Sequence, residues 1–410
     1  KYLIEANPLG TIEDGNFRRG GDSIALPPKE ATKASIEDIR AIYASGSKES
    51  KYERFCFAEL AQSPKDRIEV PVNGNRFFNK HFAIVGSTGS GKSHTTAKVL
   101  QNATKERKSD FKGLNNSHIV IFDIHSEYAT AFPEANIISI DDLVLPYWLL
   151  NADELEELFL ESGDNNNYNQ SAILRAIITE NKEYNNSGID KVYFDSPLKF
   201  DINEVLNCFN NLKRETVNSD NELDIQLSPS SKIFATEKEK HQHYFKAVYD
   251  FASTRRASAA AGHGISNGIF ADGKIDKFIS RLSAKVNTPR LQQFLFGTKS
   301  KTITFEETLQ QFLGYGYKDG ERKNAKSNVT IIDLSGVPFE VLSITVSLIS
   351  RLLFDYSYYY KKQNGDNHMP LLLVYEEAHK YVPKSDLARF KSSRASIERI
   401  AKEGRKYGIS

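Results

Sequence analysis

The chain has 410 residues, of which 54 are Lys or Arg and 53 are Asp or Glu, so its formal net charge is only +1. This balance excludes a protein that is basic throughout, and any nucleic-acid-binding surface must be local. The two cysteines, Cys56 and Cys208, exclude a disulfide framework, and no run reaches the roughly 18 apolar residues of a membrane span.

These features predict a cytoplasmic protein of two or three domains with no membrane segment. The chain lacks an initial methionine and stops where a new strand is predicted to start, so we expect it to be a piece of a longer sequence. Residues 1–75 contain turn signals and one alternating segment, RIEVPV (67–72), which predicts a short strand. We interpret residues 1–75 as a β-containing, barrel-like region.

From residue 76 onward the pattern is that of an α/β domain. Four apolar runs predict buried parallel strands, each ending in small or acidic residues, as strands do where active-site loops leave a sheet. The runs are HFAIVG (81–86), SHIVIFDI (117–124), NVTIIDLSG (328–336) and MPLLLVYEE (369–377). We therefore predict an α/β core with a mostly parallel sheet, formed by residues 76–145 and 301–410.

Two helices are predicted in the second part of this core. The first has one buried face, because apolar residues recur at steps of three and four. The residues of this face are Val341, Thr345, Leu348, Leu352 and Tyr356. The second covers SIERIAKEGRKYG (396–408), with Gly408 closing the turn into a new strand. Its predicted buried residues are Ile397, Ile400 and Ala401.

Residues 146–300 interrupt the sheet and are interpreted as an inserted helical subdomain. The segments NADELEELFLESG and EKHQHYFKAVYDFAS predict helices, whereas polar stretches such as ETVNSDNELDIQLSPSS predict connections. His241 and His243 are too close together and too isolated to suggest a zinc site, and they predict a solvated helix start.

The segment GSTGSGKS matches the phosphate-loop pattern G-x-x-x-x-G-K-[ST] in full. Its glycines permit positive φ angles, so that backbone N–H groups converge on phosphate oxygens. We expect Lys92 to reach the β- and γ-phosphates and the Ser93 hydroxyl to ligate Mg²⁺. The predicted nucleotide-binding residues are Gly86, Ser87, Thr88, Gly89, Ser90, Gly91, Lys92, Ser93 and His94. By itself, the loop predicts only that ATP or GTP is bound.

A phosphate loop works with acidic residues at the end of a neighbouring strand, and LLLVYEEAH supplies a pair. We predict that Glu376 belongs to the Mg²⁺ shell. Its side chain is one methylene longer than that of the Asp in the commoner Asp-Glu pair, and a water in the shell can accommodate this difference. Glu377 is predicted to orient and deprotonate the attacking water. His379 is either a sensor of the nucleotide or a structural histidine.

Other polar residues leave two readings open. Asp123, His125 and Glu127 follow a predicted strand. They either touch the Mg²⁺ water shell or a neighbouring subunit, or are the polar caps of a loop. Arg405 ends a predicted helix and is either an arginine finger for an adjacent subunit or a residue favoured by the helix dipole. Three basic stretches are more typical of solvated surfaces than of nucleic-acid contacts: KERKSDFKG (105–113), STRRAS (253–258) and DYSYYYKKQ (355–363).

Several segments together resemble the HerA family of hexameric DNA-translocating ATPases. They are HFAIVGSTGSGKS, IFDIHSEY, LPYWLLNADELEELF, GIFADGKIDKFISRLSAKVNTPRLQQFLF, IIDLSGVPFEVLSITVSLISRLLFDY, YEEAHKYVPK and ERIAKEGRKYGIS, spanning residues 67–410. The resemblance implies a RecA-like P-loop ATPase core, an inserted helical bundle, an N-terminal β-barrel and six subunits around a channel for duplex DNA. It also implies that Lys92 and Ser93 hold phosphate and Mg²⁺, that Glu376 and Glu377 serve metal and water, and that Arg405 acts in trans.

The sequence therefore predicts an ATP- and Mg²⁺-dependent DNA translocase or helicase that works as a homohexamer. HerA-like proteins commonly work with a partner, and we expect a nuclease or a sirtuin-like effector in bacterial anti-phage defence, because the Lys- and Asn-rich composition is typical of an AT-rich bacterial genome. Three alternatives stay open: an ATP-controlled scaffold ring that organises an effector enzyme, a HerA–NurA-type motor for DNA end processing, and a conjugation or secretion ATPase.

Overall fold

The structure, a computed structural model, describes most of the chain. The described residues are 7–20, 32–44, 54–61, 67–104, 118–160, 167–259, 262–314, 316–318, 321–323, 327–366, 369–380, 382 and 392–410. The strands are β1 Gly10–Glu13, β2 Asn16–Arg19, β3 Arg54–Ala61, β4 Arg67–Asn73, β5 His118–Asp123, β6 Asn136–Ile138, β7 Thr216–Asn218, β8 Asn221–Ile225, β9 Lys232–Ile233, β10 Ile265–Asn267, β11 Gly316–Lys318, β12 Glu321–Lys323, β13 Val329–Asp333 and β14 Leu371–Tyr375. The helices are α1 Ile36–Ala44, α2 Gly74–Phe78, α3 Lys92–Thr104, α4 Ala152–Phe159, α5 Asn167–Asn185, α6 Ile202–Leu212, α7 Glu237–Lys246, α8 Asp276–Val286, α9 Pro289–Leu291, α10 Thr298–Thr302, α11 Phe305–Phe312, α12 Phe339–Asn364 and α13 Ser392–Glu403, with short helical turns at Tyr147–Leu149, Gln292–Phe296, Ala378–Lys380 and Gly404–Tyr407.

Four parallel strands form the central sheet, in the order β14–β5–β13–β6. Every residue of β5 is buried, because strands flank it on both sides and helices cover both faces of the sheet. Its successive residues point to opposite faces: Ile119 and Ile121 pack with α3, whereas Val120 and Phe122 belong to the core that contains α12. The predicted α/β fold with a parallel sheet is confirmed.

The run HFAIVG is not a strand, so one of the four predicted strands is wrong. Residues 81–87 have no regular secondary structure, and Phe82 and Val85 are 43% and 87% exposed. A strand needs a hydrogen-bonding neighbour. On the outer side of β14, the described part of the chain supplies hydrogen bonds only from residues 408–410. The fourth parallel strand is instead the short β6, which pairs with β13.

Helix α12 is buried all round over residues 341–350 rather than on one face. Residues 341–350 are all buried, because the helix lies against the sheet and against α4 and α13. The predicted face is therefore correct but incomplete. Arg351 of this helix pairs with the fully buried Glu154 of α4 at 2.8 Å, and Ser347 donates to the same carboxylate. These contacts fix α4 against the core.

Helix α13 begins at Ser392, earlier than the sequence pattern predicts. Ile400 is buried and Ile397 packs partly against the core, as predicted. Ala401 is exposed, which corrects its predicted burial, since it faces a cavity instead of a neighbouring helix. Gly408 closes the following turn in the left-handed conformation, with φ of 71°.

The segment between residues 146 and 300 contains helices and also a small antiparallel sheet, with the order β10–β7–β8–β9. Strands β7 and β8 lie in the polar stretch that was predicted as a connection. The chain reverses between them where the Asn218 side chain accepts a hydrogen bond from the Asp220 N–H at 3.0 Å. Val217 and Ile225 provide the buried face. Polar turn residues hide this short alternation in the sequence.

A closed cluster of charges lies inside this segment. The Lys240 ammonium is 3.2 Å from Glu215 Oε2, and the Tyr244 hydroxyl donates to the same carboxylate at 2.8 Å. All three side chains are buried. Burial raises the pKa of Glu215, while Lys240 and Tyr244 offset part of this rise. Gly268 permits the packing, since a Cβ there would collide with the Glu215 carboxylate.

His241 is buried, so its predicted place at a solvated helix start is wrong. Its Nδ1 lies 2.7 Å from Glu180 Oε2 of α5, because α7 packs against that helix. Helix α7 also ends earlier than predicted, at Lys246. Within the described residues, no group of three or more His, Cys, Asp or Glu side chains could hold a metal ion. Cys56 and Cys208 are both free thiols.

The N-terminal region contains two antiparallel pairs, β1–β2 and β3–β4, and β4 confirms the strand predicted at RIEVPV. The barrel and the boundaries near residues 75, 145 and 300 stay predictions. The basic stretch 105–113 lies outside the described residues, 253–258 is exposed, and 355–363 belongs to α12. Across the part of the chain that the structure describes, no helix has the length and apolar character needed to cross a membrane.

Candidate nucleotide site

The phosphate loop is a tight, exposed turn that leads directly into α3. Gly89 and Gly91 have φ angles of 79° and 87°, a conformation that side chains with a Cβ rarely adopt. The Ser90 N–H donates to the Ser87 carbonyl at 3.1 Å, and the Thr95 N–H donates to Gly91 at 2.8 Å to begin the helix. The loop therefore joins a nest of backbone N–H groups to the positive end of a helix, which is a binding place for anions.

Lys92 folds back over this loop. Its Nζ donates to the Ser87 carbonyl at 3.3 Å, so the ammonium lies across the mouth of the turn. Gly86 makes the turn possible, because a Cβ at that position would collide with the Ser90 hydroxyl. A phosphate group is a stronger partner for an ammonium than a carbonyl is, and could draw Lys92 away from Ser87.

The loop after β5 holds α3 in place through residues to which the sequence analysis assigned no role. The Tyr128 hydroxyl hydrogen-bonds Thr96, and Gln101 donates to the Ala131 carbonyl at 2.8 Å. Burial raises the pKa of Tyr128 to about 12, so its hydroxyl remains protonated at neutral pH. The only sequence signal for this clamp is the position of Tyr128 just after a predicted strand.

Glu376 follows β14 and is bound to the end of the neighbouring strand. Its Oε2 accepts hydrogen bonds from the N–H groups of Ile124 at 2.9 Å and His125 at 3.3 Å. Burial raises the pKa of Glu376 to about 7, and the nearby Asp123 carboxyl contributes through a hydrogen bond and its charge. Glu377 comes next with a left-handed backbone, φ 47°, which is uncommon for a residue with a side chain.

Asp123 is the polar cap of a loop, and its carboxyl also hydrogen-bonds Glu376, so its predicted place near the metal shell stays a prediction. It is fully buried, and its carboxylate accepts hydrogen bonds from the N–H groups of His125, Glu127 and Tyr128 at 3.0 to 3.2 Å. These bonds shape the loop whose N–H groups bind Glu376. His125 and Glu127 are exposed, and His125 Nε2 lies 3.5 Å from Lys380 Nζ.

The phosphate loop and the acidic pair line one cavity of about 700 Å³. The predicted site residues among its lining are Gly86, Ser87, Thr88, Lys92, Ser93, Glu376 and Glu377. Gly89, Ser90, Gly91 and His94 lie outside the lining, and His94 is exposed. A phosphate-binding loop therefore faces two carboxylates from a distant part of the sequence, across a space that a nucleotide could enter.

A comparison with protein-family models matches residues 58–353 to the central domain of the helicase HerA. The chain belongs to this family. The match includes the phosphate loop, β5, the segment 146–300 and β13, so it covers much more than the nucleotide-binding motif.

Individual members of the HerA family are distant in sequence. The chain is 24% identical over 421 residues to a probable DNA double-strand break repair helicase HerA of Methanocaldococcus jannaschii, covering 100% of this chain and 70% of that protein. It is 21% identical over 407 residues to a probable helicase of the same organism, covering 98% of this chain and 60% of that protein. The chain thus spans 60% to 70% of the length of these two relatives.

Two further similar proteins are also distant in sequence. A DNA double-strand break repair helicase HerA of Saccharolobus solfataricus is 20% identical over 390 residues, covering 94% of this chain and 58% of that protein. Among solved structures, VirB4 of Thermoanaerobacter pseudethanolicus aligns with a TM-score of 0.48 and 12% identity, covering 88% of this chain and 76% of that chain.

The donor set beside the HerA-type phosphate loop fits a Mg²⁺ ion. Mg²⁺ usually keeps several waters and takes one or two protein ligands together with phosphate oxygens. Ser93 and Glu376 line the same cavity and supply one hydroxyl and one carboxylate. Because Glu376 Oε2 already accepts two backbone N–H groups, this carboxylate is better placed to hold the ion through a water than directly.

Arg405 does not line the cavity, although Ala401 and Ser410, which precede and follow it in the chain, do. Arg405 is exposed in the turn Gly404–Tyr407. Gly408, which follows this turn, accepts a hydrogen bond from the Leu371 N–H at the start of β14. Glu376 follows the end of that strand. A five-residue strand is about 16 Å long. Arg405 thus lies near the start of β14, at the other end of this strand from Glu376.

Proposed function

We propose that the protein is a Mg²⁺-dependent ATPase that moves DNA. The observation that carries the proposal is the shared cavity, in which Lys92 and Ser93 of the phosphate loop face Glu376 and Glu377. A basic loop and two carboxylates at neighbouring strand ends are the groups that phosphoryl transfer to water requires. Membership of the HerA family supports ATP as the nucleotide and DNA as the polymer.

Each residue has a separate part in this reaction. Backbone N–H groups of the phosphate loop hold the phosphate chain, and Lys92 leaves the Ser87 carbonyl to bind the β- and γ-phosphates. Ser93 and Glu376 would hold Mg²⁺, which would neutralise phosphate charge. Glu377 orients the attacking water and accepts its proton.

The position of Arg405 supports a site that is shared between subunits. We propose that this exposed arginine reaches the phosphate loop of a neighbouring subunit, where it would stabilise the charge on the γ-phosphate. Such contacts repeat around a ring. We propose six subunits with duplex DNA in the central channel, the arrangement that the HerA resemblance implies.

We further propose that the ring works with a nuclease or a sirtuin-like effector in defence against phage. The support is the HerA resemblance together with the Lys- and Asn-rich composition. A ring that only organises such an effector is the main alternative, and a DNA end-processing motor that works with a nuclease is another.

The response to duplex DNA separates a motor from a scaffold. We expect duplex DNA to stimulate ATP hydrolysis, and the stimulation to fall steeply between about 50 and 200 mM salt, because phosphate contacts release counterions. Lys92→Ala is the control, since it should be inactive with and without DNA. An ATPase rate that duplex DNA does not change at low salt would contradict the motor and favour the scaffold.

A further inference from the structure

We propose that His379 positions Glu377 for the attack of water on ATP. His379 Nδ1 lies 3.2 Å from Glu377 Oε2, within reach of a hydrogen bond from the ring N–H to the carboxylate. This contact occupies one carboxylate oxygen and leaves Oε1 to accept the proton of the water. The inference rests on the proposed ATPase function and assigns a role to a residue of the same site.

The backbone around Glu377 brings these two side chains together. Glu377 has the left-handed φ of 47°, and its carbonyl accepts the Lys380 N–H at 2.8 Å, which closes a tight turn over Ala378–Lys380. In an extended continuation of β14, His379 would lie on the same face as Glu377 but about 7 Å further along the strand. The uncommon backbone conformation therefore has a consequence for chemistry, because it folds the imidazole back onto the carboxylate.

The turn is also tied to the loop that binds Glu376. Lys380 Nζ lies 3.5 Å from His125 Nε2, and the His125 N–H donates to Glu376. The turn that follows the acidic pair therefore contacts the loop after β5, and the N–H groups of that loop bind Glu376. His379 lines the same cavity as Lys92, so its imidazole lies beside the space where the phosphates would bind.

The exposure of the His379 and Glu377 side chains favours a positioning role for their contact over a structural one. The His379 side chain is 72% exposed and that of Glu377 is 28% exposed, so the pair adds little to stability. Replacing His379 should therefore leave the fold intact. What the contact can do is restrict the carboxylate to one orientation, which affects the chemical step and not the affinity for nucleotide.

The test uses two variants of His379 whose side-chain amides place an N–H donor at different positions. His379→Asn puts its amide nitrogen where Nδ1 lies, whereas His379→Gln puts it nearer the position of Nε2. We expect His379→Ala and His379→Gln to lower kcat for ATP hydrolysis by about tenfold with little change in KM. His379→Asn should recover a kcat within about threefold of the wild type.

Two results would overturn the proposal. If His379→Asn is as slow as His379→Ala, a donor at the Nδ1 position is not what matters. If His379→Ala raises KM and leaves kcat unchanged, the residue senses the nucleotide instead of positioning Glu377. Two controls separate this failure from that of the proposed function. Absence of ATP hydrolysis by the wild-type protein, with or without duplex DNA, would remove the proposed function, whereas wild-type turnover by Glu377→Gln would remove only the role of Glu377 in the reaction.

Discussion

Two buried glutamates of this protein, Glu376 and Glu215, lie in polar clusters whose surroundings differ. Glu376 hydrogen-bonds Asp123 at the edge of the parallel sheet, beside the cavity that Lys92 lines. Glu215, inside the segment 146–300, is enclosed by Lys240 and Tyr244 and does not line that cavity. Burial raises the pKa of both Glu376 and Glu215. A perturbed carboxylate therefore does not by itself identify a site, and it is the cavity shared with the phosphate loop that makes Glu376 a candidate.

The largest change in stability should come from the closed cluster. Glu215→Gln removes the buried negative charge that pairs with the buried Lys240. This change should lower the free energy of unfolding by about 3 kcal/mol. The matched control is Glu237→Gln, because Glu237 pairs with the same Lys240 at 2.7 Å but is 53% exposed. That change should cost less than about 1 kcal/mol. Denaturant titration measures both values.

The same two variants test whether the closed cluster is purely structural. ATP affinity, measured by titration at a temperature where both variants are folded, should equal that of the wild type. If Glu215→Gln kept its stability and lost ATP affinity, the distinction between the two clusters would be wrong.

A smaller effect of opposite sign is expected at the sheet edge. Glu376 has its pKa raised from 4.5 to about 7 in the folded protein. The unfolded chain therefore loses its proton first, and stability falls as pH rises from about 4.5 to 7. Glu376→Gln cannot ionise, and its amide can donate to Asp123 as the protonated acid does. At pH 8 this variant should be more stable than the wild type by on the order of 2 kcal/mol in the absence of nucleotide.

Denaturant titrations at several pH values check this prediction. The gain from Glu376→Gln should disappear below about pH 4.5, where both states of the wild type are protonated. A gain that is the same at every pH would mean that the difference in stability between Glu376→Gln and the wild type arises from packing and not from ionisation. No gain at pH 8 would mean that the pair at the sheet edge does not resist ionisation.

Local patterns in the sequence predicted the parts of the fold that local chemistry determines. Strands β5, β13 and β14 follow from apolar runs that are buried on both faces. The phosphate loop follows from its glycines, two of which do have positive φ. The run HFAIVG has the same local pattern, but a strand also needs a partner, and no pattern within six residues can supply one.

The remaining errors have the same cause, because long-range contacts decide them. His241 is buried by Glu180, which is distant in sequence, and strands β7 and β8 are too short and polar to be recognised alone. In the site, the acidic pair was predicted from its strand. The Tyr128 clamp on α3 and the contact between His379 and Glu377 depend on how the loops fold and leave little trace in the sequence.

The central claim is that Lys92 and Glu377 belong to one ATP-hydrolysing site and divide binding from chemistry. It is tested most directly by measuring ATP binding and ATP turnover in two variants. We predict that Lys92→Ala fails to bind ATP, and that Glu377→Gln binds ATP with wild-type affinity but turns it over at least about a hundredfold more slowly. Turnover by Glu377→Gln at the wild-type rate, or tight ATP binding by Lys92→Ala, would contradict the account.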